Sequence, residues 1–202
     1  MQKAHKAIVN FLFEVGILSK TPRSGFHFLG SGKQSVSEHI NRVTYIGYVL
    51  SSLEEDIDAA KVMKMCLMHD LAEARTSDLN YVHQKYTNSD EHKAIKDLSE
   101  TLPFGHDIVE TLIEFAEKKT KEAQLAKDAD QLEWLLSLKE EVDIGNKRAE
   151  TFIPSTIKRL QTKVAKDLAK VIVSTNSDDW WFAQKDDAWW INRNKEAMKK
   201  RF

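Results

Sequence analysis

Met65-Cys66-Leu67-Met68-His69-Asp70-Leu71-Ala72-Glu73 decides how the chain is read. An apolar run ends in an adjacent His and Asp, and a Glu follows three residues after the Asp. Val62, Met65 and Cys66 precede His69 by seven, four and three positions. At helical spacing this puts His69 on the buried stripe of a helix. An imidazole that faces a core and is followed at once by a carboxylate has two explanations. Either both groups are hydrogen-bonded inside the core, or both hold a metal ion.

The flanking sequence is helical in pattern. Only seven Gly and three Pro occur in 202 residues, and strand-like alternation is scarce, which predicts an almost all-α fold. Residues 2–16 read as a first helix with Ile8, Phe11, Leu12 and Val15 on one face and Gly16 as the stop. Residues 18–34 hold three Gly and a Pro and read as a long irregular connection, a kind of loop that is often functional. Ser37 is an N-cap candidate, and the helix after it carries His39, Val43, Ile46, Gly47 and Leu50 on one stripe. A second histidine therefore faces a core.

The helix over about 57–69 ends in His69-Asp70. Beyond it Thr76, Ser77, Asp78 and Asn80 crowd together, and such side chains bond locally to backbone and break helices. Residues 90–101 and 106–118 read as helices separated by Pro103 and Gly105. The longest helix, 120–142, spaces Ala126, Asp130, Trp134 and Leu138 by four, so Asp130 interrupts an apolar row and Asp128 points elsewhere. Pro154-Ser155 is read as the start of another helix with Ile157, Leu160, Val164, Leu168, Val171 and Ile172 as its apolar face. Four of the five Trp fall at positions 180, 181, 189 and 190. The expected organisation is one domain over 1–175, with a C-terminal aromatic and basic extension, 176–202, docked on it.

Composition narrows the partners. Lys plus Arg (30) nearly balance Asp plus Glu (31), so electrostatics gives no case for nucleic acid or a membrane surface. The single cysteine, Cys66, excludes an internal disulfide and sits on the apolar stripe as a small core residue. The opening residues lack a signal-peptide pattern and no apolar run is long enough to span a membrane, which makes a cytoplasmic location the default expectation.

His39, His69, Asp70 and Asp130 each follow or interrupt an apolar helical pattern. Buried carboxylates without partners are costly, and two carboxylates with two imidazoles solve that problem together by holding a divalent cation. Nitrogen and oxygen donors without thiolate suit one ion such as Mn, Co, Fe, Ni, Zn or Mg. Four protein ligands leave coordination positions for water and a substrate oxygen.

The pattern H…HD…D resembles that of the HD-domain metal-dependent phosphohydrolases. Ser35-Val36-Ser37-Glu38-His39 is similar to the S-V-[AS]-[ED]-H segment of their 5′-deoxynucleotidase branch. His69-Asp70-Leu71-Ala72-Glu73 with Asp78-Leu79 is similar to HDxxE…GDL, and Leu18–Phe26 to the L-K-x-x-P-R-x-G-[WF] loop. Asp130–Glu133 and Gly145-Asn146 resemble later positions, and the likeness runs from about residue 5 to about residue 150. It implies a compact helical bundle around a single metal and hydrolysis of a nucleoside 5′-monophosphate, commonly a deoxynucleotide, often by a homodimer. Carried over by position, His39, His69, Asp70 and Asp130 are the metal ligands, Glu73 and Asp78 the acid/base candidates, and Arg23 the phosphate clamp. The family's Gly before Asp78 is Ser77 here, and the loop 27–34 has no counterpart that sets its role.

Two other readings stand beside this one. The same site serves HD hydrolases of (p)ppGpp, dNTPs or phosphodiesters. A non-catalytic HD domain binds a nucleotide or a protein partner instead. Glu73 reads otherwise as a helix end, Asp78 as a turn residue, Arg23 and Lys85 as surface charges, and Tyr81 and Tyr86 as core. His5, His27, His83, His92 and His106 read as non-ligands.

Overall fold

The computed structural model describes residues 2–182, and they are helical throughout except for turns and loops. In chain order the helices are α1 (Gln2–Val15), α2 (Val36–Ser52), α3 (Ala59–Met68), α4 (Glu73–Thr76), α5 (His83–Tyr86), α6 (Glu91–Ser99), α7 (Gly105–Glu117), α8 (Lys121–Asp143), α9 (Lys147–Lys158), α10 (Lys163–Ser174) and α11 (Asp179–Phe182). Two 3-10 turns, Gly16–Ser19 and Ser24–Phe28, lie between α1 and α2. The expected all-α class is what the chain adopts.

α8 is the axis of the bundle. α2, α3, α7, α9 and α10 all pack on it, so Leu125, Ala126, Ala129, Leu132, Leu135 and Leu138 are buried on several sides of one helix. A helix covered all round has no polar face to give up, which is why Asp128, Asp130 and Glu133 are buried as well. Asp128 does point away from Asp130. It accepts the backbone N–H groups of Gln161 (2.8 Å) and Thr162 (2.7 Å) and the Thr162 hydroxyl, fixing the entry to α10.

α2 joins two apolar clusters. Its Val43 and Leu50 belong to the main core around α8, while Val36 and Ile40 belong to a second core with Leu18, Leu71, Leu98, Leu102 and Ile108. His39 lies where the two meet. α2 and α3 approach closely at Gly47, where a Cβ would come within 2.6 Å of Cys66 Sγ. Cys66 is a core residue as expected, and burial pushes its thiol up to about 12.

Several sequence expectations change in detail. α2 starts two residues earlier than a Ser37 cap implies. Ser35 forms the cap, with Glu38 N–H donating to Ser35 Oγ (3.2 Å) and Ser35 N–H to Glu38 Oε2 (2.6 Å). Pro154 does not start a helix but lies inside α9, because Asn146 caps that helix upstream through the N–H groups of Arg148 and Ala149. The apolar face read across 157–172 is split between α9 and α10, which has its own cap at Thr162, and Val171 is exposed. Leu12 is also exposed, at 62%, so the inner face of α1 is narrower than its pattern suggests.

The loop before α2 is closed at its neck. Arg23 N–H donates to Gln34 C=O (2.8 Å) and Val36 N–H to Thr21 C=O (2.9 Å). Its tip is tied down by Asn146 Nδ2, which donates to Leu29 C=O (3.1 Å). At the C-terminal end of α8, Ser177 N–H donates to Asp143 Oδ2 (2.8 Å), and Trp180 is exposed. Docking of Trp189 and Trp190 lies outside the described residues. Among those residues, no helix is long and apolar enough to cross a membrane.

Candidate metal centre and catalytic site

His39 comes from the first turns of α2, His69 and Asp70 from the C-terminal end of α3, and Asp130 from the middle of α8. The three helices are mutually packed, so the four side chains converge on one point. His39 Nε2 is 3.3 Å from His69 Nε2, 3.5 Å from Asp70 Oδ2 and 3.4 Å from Asp130 Oδ1. His69 Nε2 is 3.2 Å from Asp70 Oδ2. His39, His69 and Asp70 form the tight group, with donor atoms within 4.8 Å of one another, and Asp130 closes it from the side of α8.

The other nitrogen of each ring is already committed. His69 Nδ1 donates to the Cys66 carbonyl (2.8 Å), and His39 Nδ1 to Glu133 Oε2 (2.5 Å). With a proton on each Nδ1, both Nε2 lone pairs face each other and two carboxylates. Such an arrangement repels itself unless a positive charge sits in the middle. A divalent cation fits this donor set of two imidazoles and two carboxylates. Without one, a proton takes its place. Burial and the Arg23 charge pull the His39 pKa down, but Asp130 and Glu133 outweigh them and raise it to about 9. Burial pushes the Asp70 and Asp130 carboxyls upward. The His69, Arg23 and His39 contacts hold Asp70 well below the usual carboxylate range, and Lys127 with the two histidines does the same for Asp130.

Arg23 reaches the centre from the loop. Its Nη1 donates to Asp70 Oδ2 (3.2 Å) and its Nε lies 3.6 Å from Asp78 Oδ2. Asp78 is fixed further by the Ser24 N–H (2.9 Å). Just before it, Ser77 sits at φ 62° and ψ 161°, a backbone region nearly confined to glycine. The serine therefore keeps the turn that the family's glycine would make, at the expense of strain.

Glu73 enters by continuation of the α3 helix through a tighter turn, in which Glu73 N–H donates to Asp70 C=O (3.0 Å). Burial, then the charges of Asp70 and Asp78, raise its pKa to about 10, so it carries a proton at neutral pH. Its Oε2 is buried and has no hydrogen-bond partner among the described residues.

The structure thus brings all seven expected residues, Arg23, His39, His69, Asp70, Glu73, Asp78 and Asp130, to one place. A cavity of about 230 Å³ opens from it, lined by the polar Arg23, Asp70, Asp78, Lys127, Asp130 and Gln131 and by the aromatic Phe28, Trp134 and Phe152. Neither tyrosine is core: Tyr81, 55% exposed, lines the cavity with its hydroxyl accepting from Arg159 Nη1 (2.9 Å), and Tyr86 is 86% exposed. Lys85 is exposed.

Sequence reasoning gave no role to several residues that matter. Glu133 is fully buried against His39, and Arg42 Nε (2.9 Å), Arg42 Nη2 (2.8 Å) and Gln34 Nε2 (2.7 Å) all donate to its other oxygen. Lys127 Nζ donates to Asp130 Oδ2 (2.7 Å). Both lie three residues from Asp130 on α8, a spacing that places them beside it.

The chain belongs to the HD domain family, whose model matches residues 15–172. Among curated proteins it is similar to a 5′-deoxynucleotidase HDDC2 from Dictyostelium discoideum, 31% identical over 153 residues that span 67% of this chain and 80% of that one. It is similar also to a protein of the same name from Bos taurus, 29% identical over 157 residues, covering 74% and 76%. Among solved structures, the PH0347 protein from Pyrococcus horikoshii superimposes with a TM-score of 0.69 at 27% identity, over 82% of this chain and 98% of that one.

Proposed function

We propose that this chain is a metal-dependent nucleotide phosphohydrolase that removes phosphate from (deoxy)nucleoside 5′-monophosphates. The observation that carries the reading is the convergence of His39 Nε2 and His69 Nε2 on Asp70 and Asp130, with a protonated Glu73 and Arg23 alongside. The similar proteins named 5′-deoxynucleotidase support the substrate class.

His39, His69, Asp70 and Asp130 would hold one divalent cation, with Mn, Co, Fe, Ni, Zn and Mg all compatible with nitrogen and oxygen donors. When bound, the cation supplies charge neutralisation at the phosphoryl oxygens and a more acidic water. The protein does the rest. Arg23 turns its planar fork from Asp70 and Asp78 to the phosphate oxygens. Asp78, held in place by the Ser24 N–H, orients the attacking water and accepts its proton. Glu73 keeps its proton through neutral pH and delivers it to the departing sugar oxygen. The aromatic lining of the cavity takes the nucleoside and excludes bulk water. A cytoplasmic, homodimeric enzyme fits this reading.

The test is phosphate release from metal-stripped protein reloaded with each ion in turn. The substrates are ribo- and deoxyribonucleoside 5′-monophosphates, dNTPs, (p)ppGpp and phosphodiesters. The reading predicts metal-dependent release from monophosphates above all others. Release from only the triphosphates, (p)ppGpp or diesters would replace the substrate class, and binding without release would make the site a sensor.

A further inference from the structure

Gln131 follows Asp130 on α8 and lines the cavity with 9% of its surface exposed. Its Nε2 donates to Asp130 Oδ2 (3.0 Å). Its Oε1 is buried and has no hydrogen-bond partner among the described residues. The amide cannot be turned round to cure this, because its oxygen would then face the Asp130 carboxylate. The side chain is thus fixed as an acceptor in a cavity where nothing among the described residues donates to it, and a buried acceptor left so is destabilising.

We propose that Gln131 is a specificity-determining residue whose Oε1 accepts a hydrogen bond from the 3′-hydroxyl of the nucleoside 5′-monophosphate. The assignment rests on the phosphomonoesterase reading above and on position along α8. Asp130, a candidate metal ligand, precedes Gln131 on α8 and Trp134 follows it by about one turn, and all three line the cavity. Trp134 is itself held edge-on by Phe26, with ring centroids 5.4 Å apart. A group between phosphate and base meets the sugar. The 3′-hydroxyl is the sugar donor nearest phosphorus, and it is present whether or not a 2′-hydroxyl is. An acceptor-only group there selects a substrate with that donor and is left unpaired by one without it.

The test compares kcat/KM for a 2′-deoxynucleoside 5′-monophosphate with that for its 2′,3′-dideoxy analogue, in the metal-loaded wild type and in Gln131→Leu and Gln131→Met. The wild type should prefer the deoxy substrate by about 10-fold or more, and both variants should bring the ratio close to one. The ratio is the readout because loss of the Asp130 contact alone lowers both substrates alike and leaves it unchanged. A wild-type ratio near one overturns the assignment without reference to any variant, and so does a ratio that survives both substitutions. Failure of the wild type to hydrolyse any monophosphate overturns the phosphomonoesterase reading itself, and this assignment with it.

Discussion

His39 Nδ1 lies 2.5 Å from Glu133 Oε2, and both side chains are fully buried. Glu133 thereby fixes which ring nitrogen of His39 carries the proton and turns the other toward the centre of the site. A carboxylate behind a ligating histidine sets both its orientation and its basicity. Arg42 and Gln34 hold the carboxylate on its other side. Burial would raise the Glu133 pKa, but the His39 and Arg42 contacts bring it down to about 2. Glu133→Gln should weaken metal binding by about 10- to 100-fold with the helical content retained. Titration of the stripped protein with the metal alone measures this, and an unchanged affinity would show that His39 is oriented by packing.

Metal uptake should expel a proton. In the metal-free protein the His39 pKa lies at about 9, against an ordinary 6.5, and a ligating imidazole must be neutral. At pH 7 to 8 the ion and the proton therefore compete. Apparent metal affinity should rise with pH and level off near 9. Calorimetry in buffers of different ionisation enthalpy counts the released proton. The same shift has a stability counterpart. The folded value is the higher one, so its contribution is complete below about 6.5 and is lost as pH rises through about 9 in the metal-free protein. Bound metal should remove that dependence.

Glu73→Gln separates acid catalysis from binding. The amide keeps the shape and cannot give up a proton, so kcat on a deoxynucleoside monophosphate should fall by about 10²- to 10⁴-fold. An aryl phosphate whose leaving group needs no proton should lose far less. The wild-type rate should also decline at alkaline pH as Glu73 ionises. That limb should lie at or below the metal-free value of about 10, because a nearby cation favours the carboxylate. The limb should be absent from the variant.

Ser77 offers a test that leaves the catalytic groups in place. Its φ of 62° with ψ 161° stores roughly 1–3 kcal/mol of backbone strain. Ser77→Gly removes that strain against a loss of about 0.5–1 kcal/mol from the looser unfolded chain. A net gain of about 1 kcal/mol corresponds to a rise in Tm of roughly 2–4 °C for a chain of this size. A fall in Tm on Ser77→Gly would show that the turn is not under strain.

Much of this was legible in the sequence because the ligands sit on helices. His39 and His69 fall on apolar stripes of period 3.6, and Asp130 breaks a row spaced by four, so burial of polar groups showed through the pattern. The supporting groups were hidden for a physical reason. α8 is covered on nearly every side, and in such a helix a buried Glu133 or Gln131 stands out from no polar face. Arg42 lies on α2 and meets Glu133 only through the packing of α2 on α8. α9 starts upstream of Pro154, itself a strong signal for a helix start, because the Asn146 cap outweighs it. Leu12 and Val171 show the same limit, since periodicity names a face and the presence of a neighbour decides whether it is covered.

The most direct measurement is the rate of phosphate release from a deoxynucleoside 5′-monophosphate by metal-stripped protein as one divalent ion is added back, for wild type and Asp70→Ala. A metal-dependent phosphomonoesterase shows release that appears with metal, saturates at one ion per chain and is absent from the variant, whose circular dichroism matches the wild type. Release that is equal with and without metal, or that persists in a folded Asp70→Ala protein, would contradict that reading.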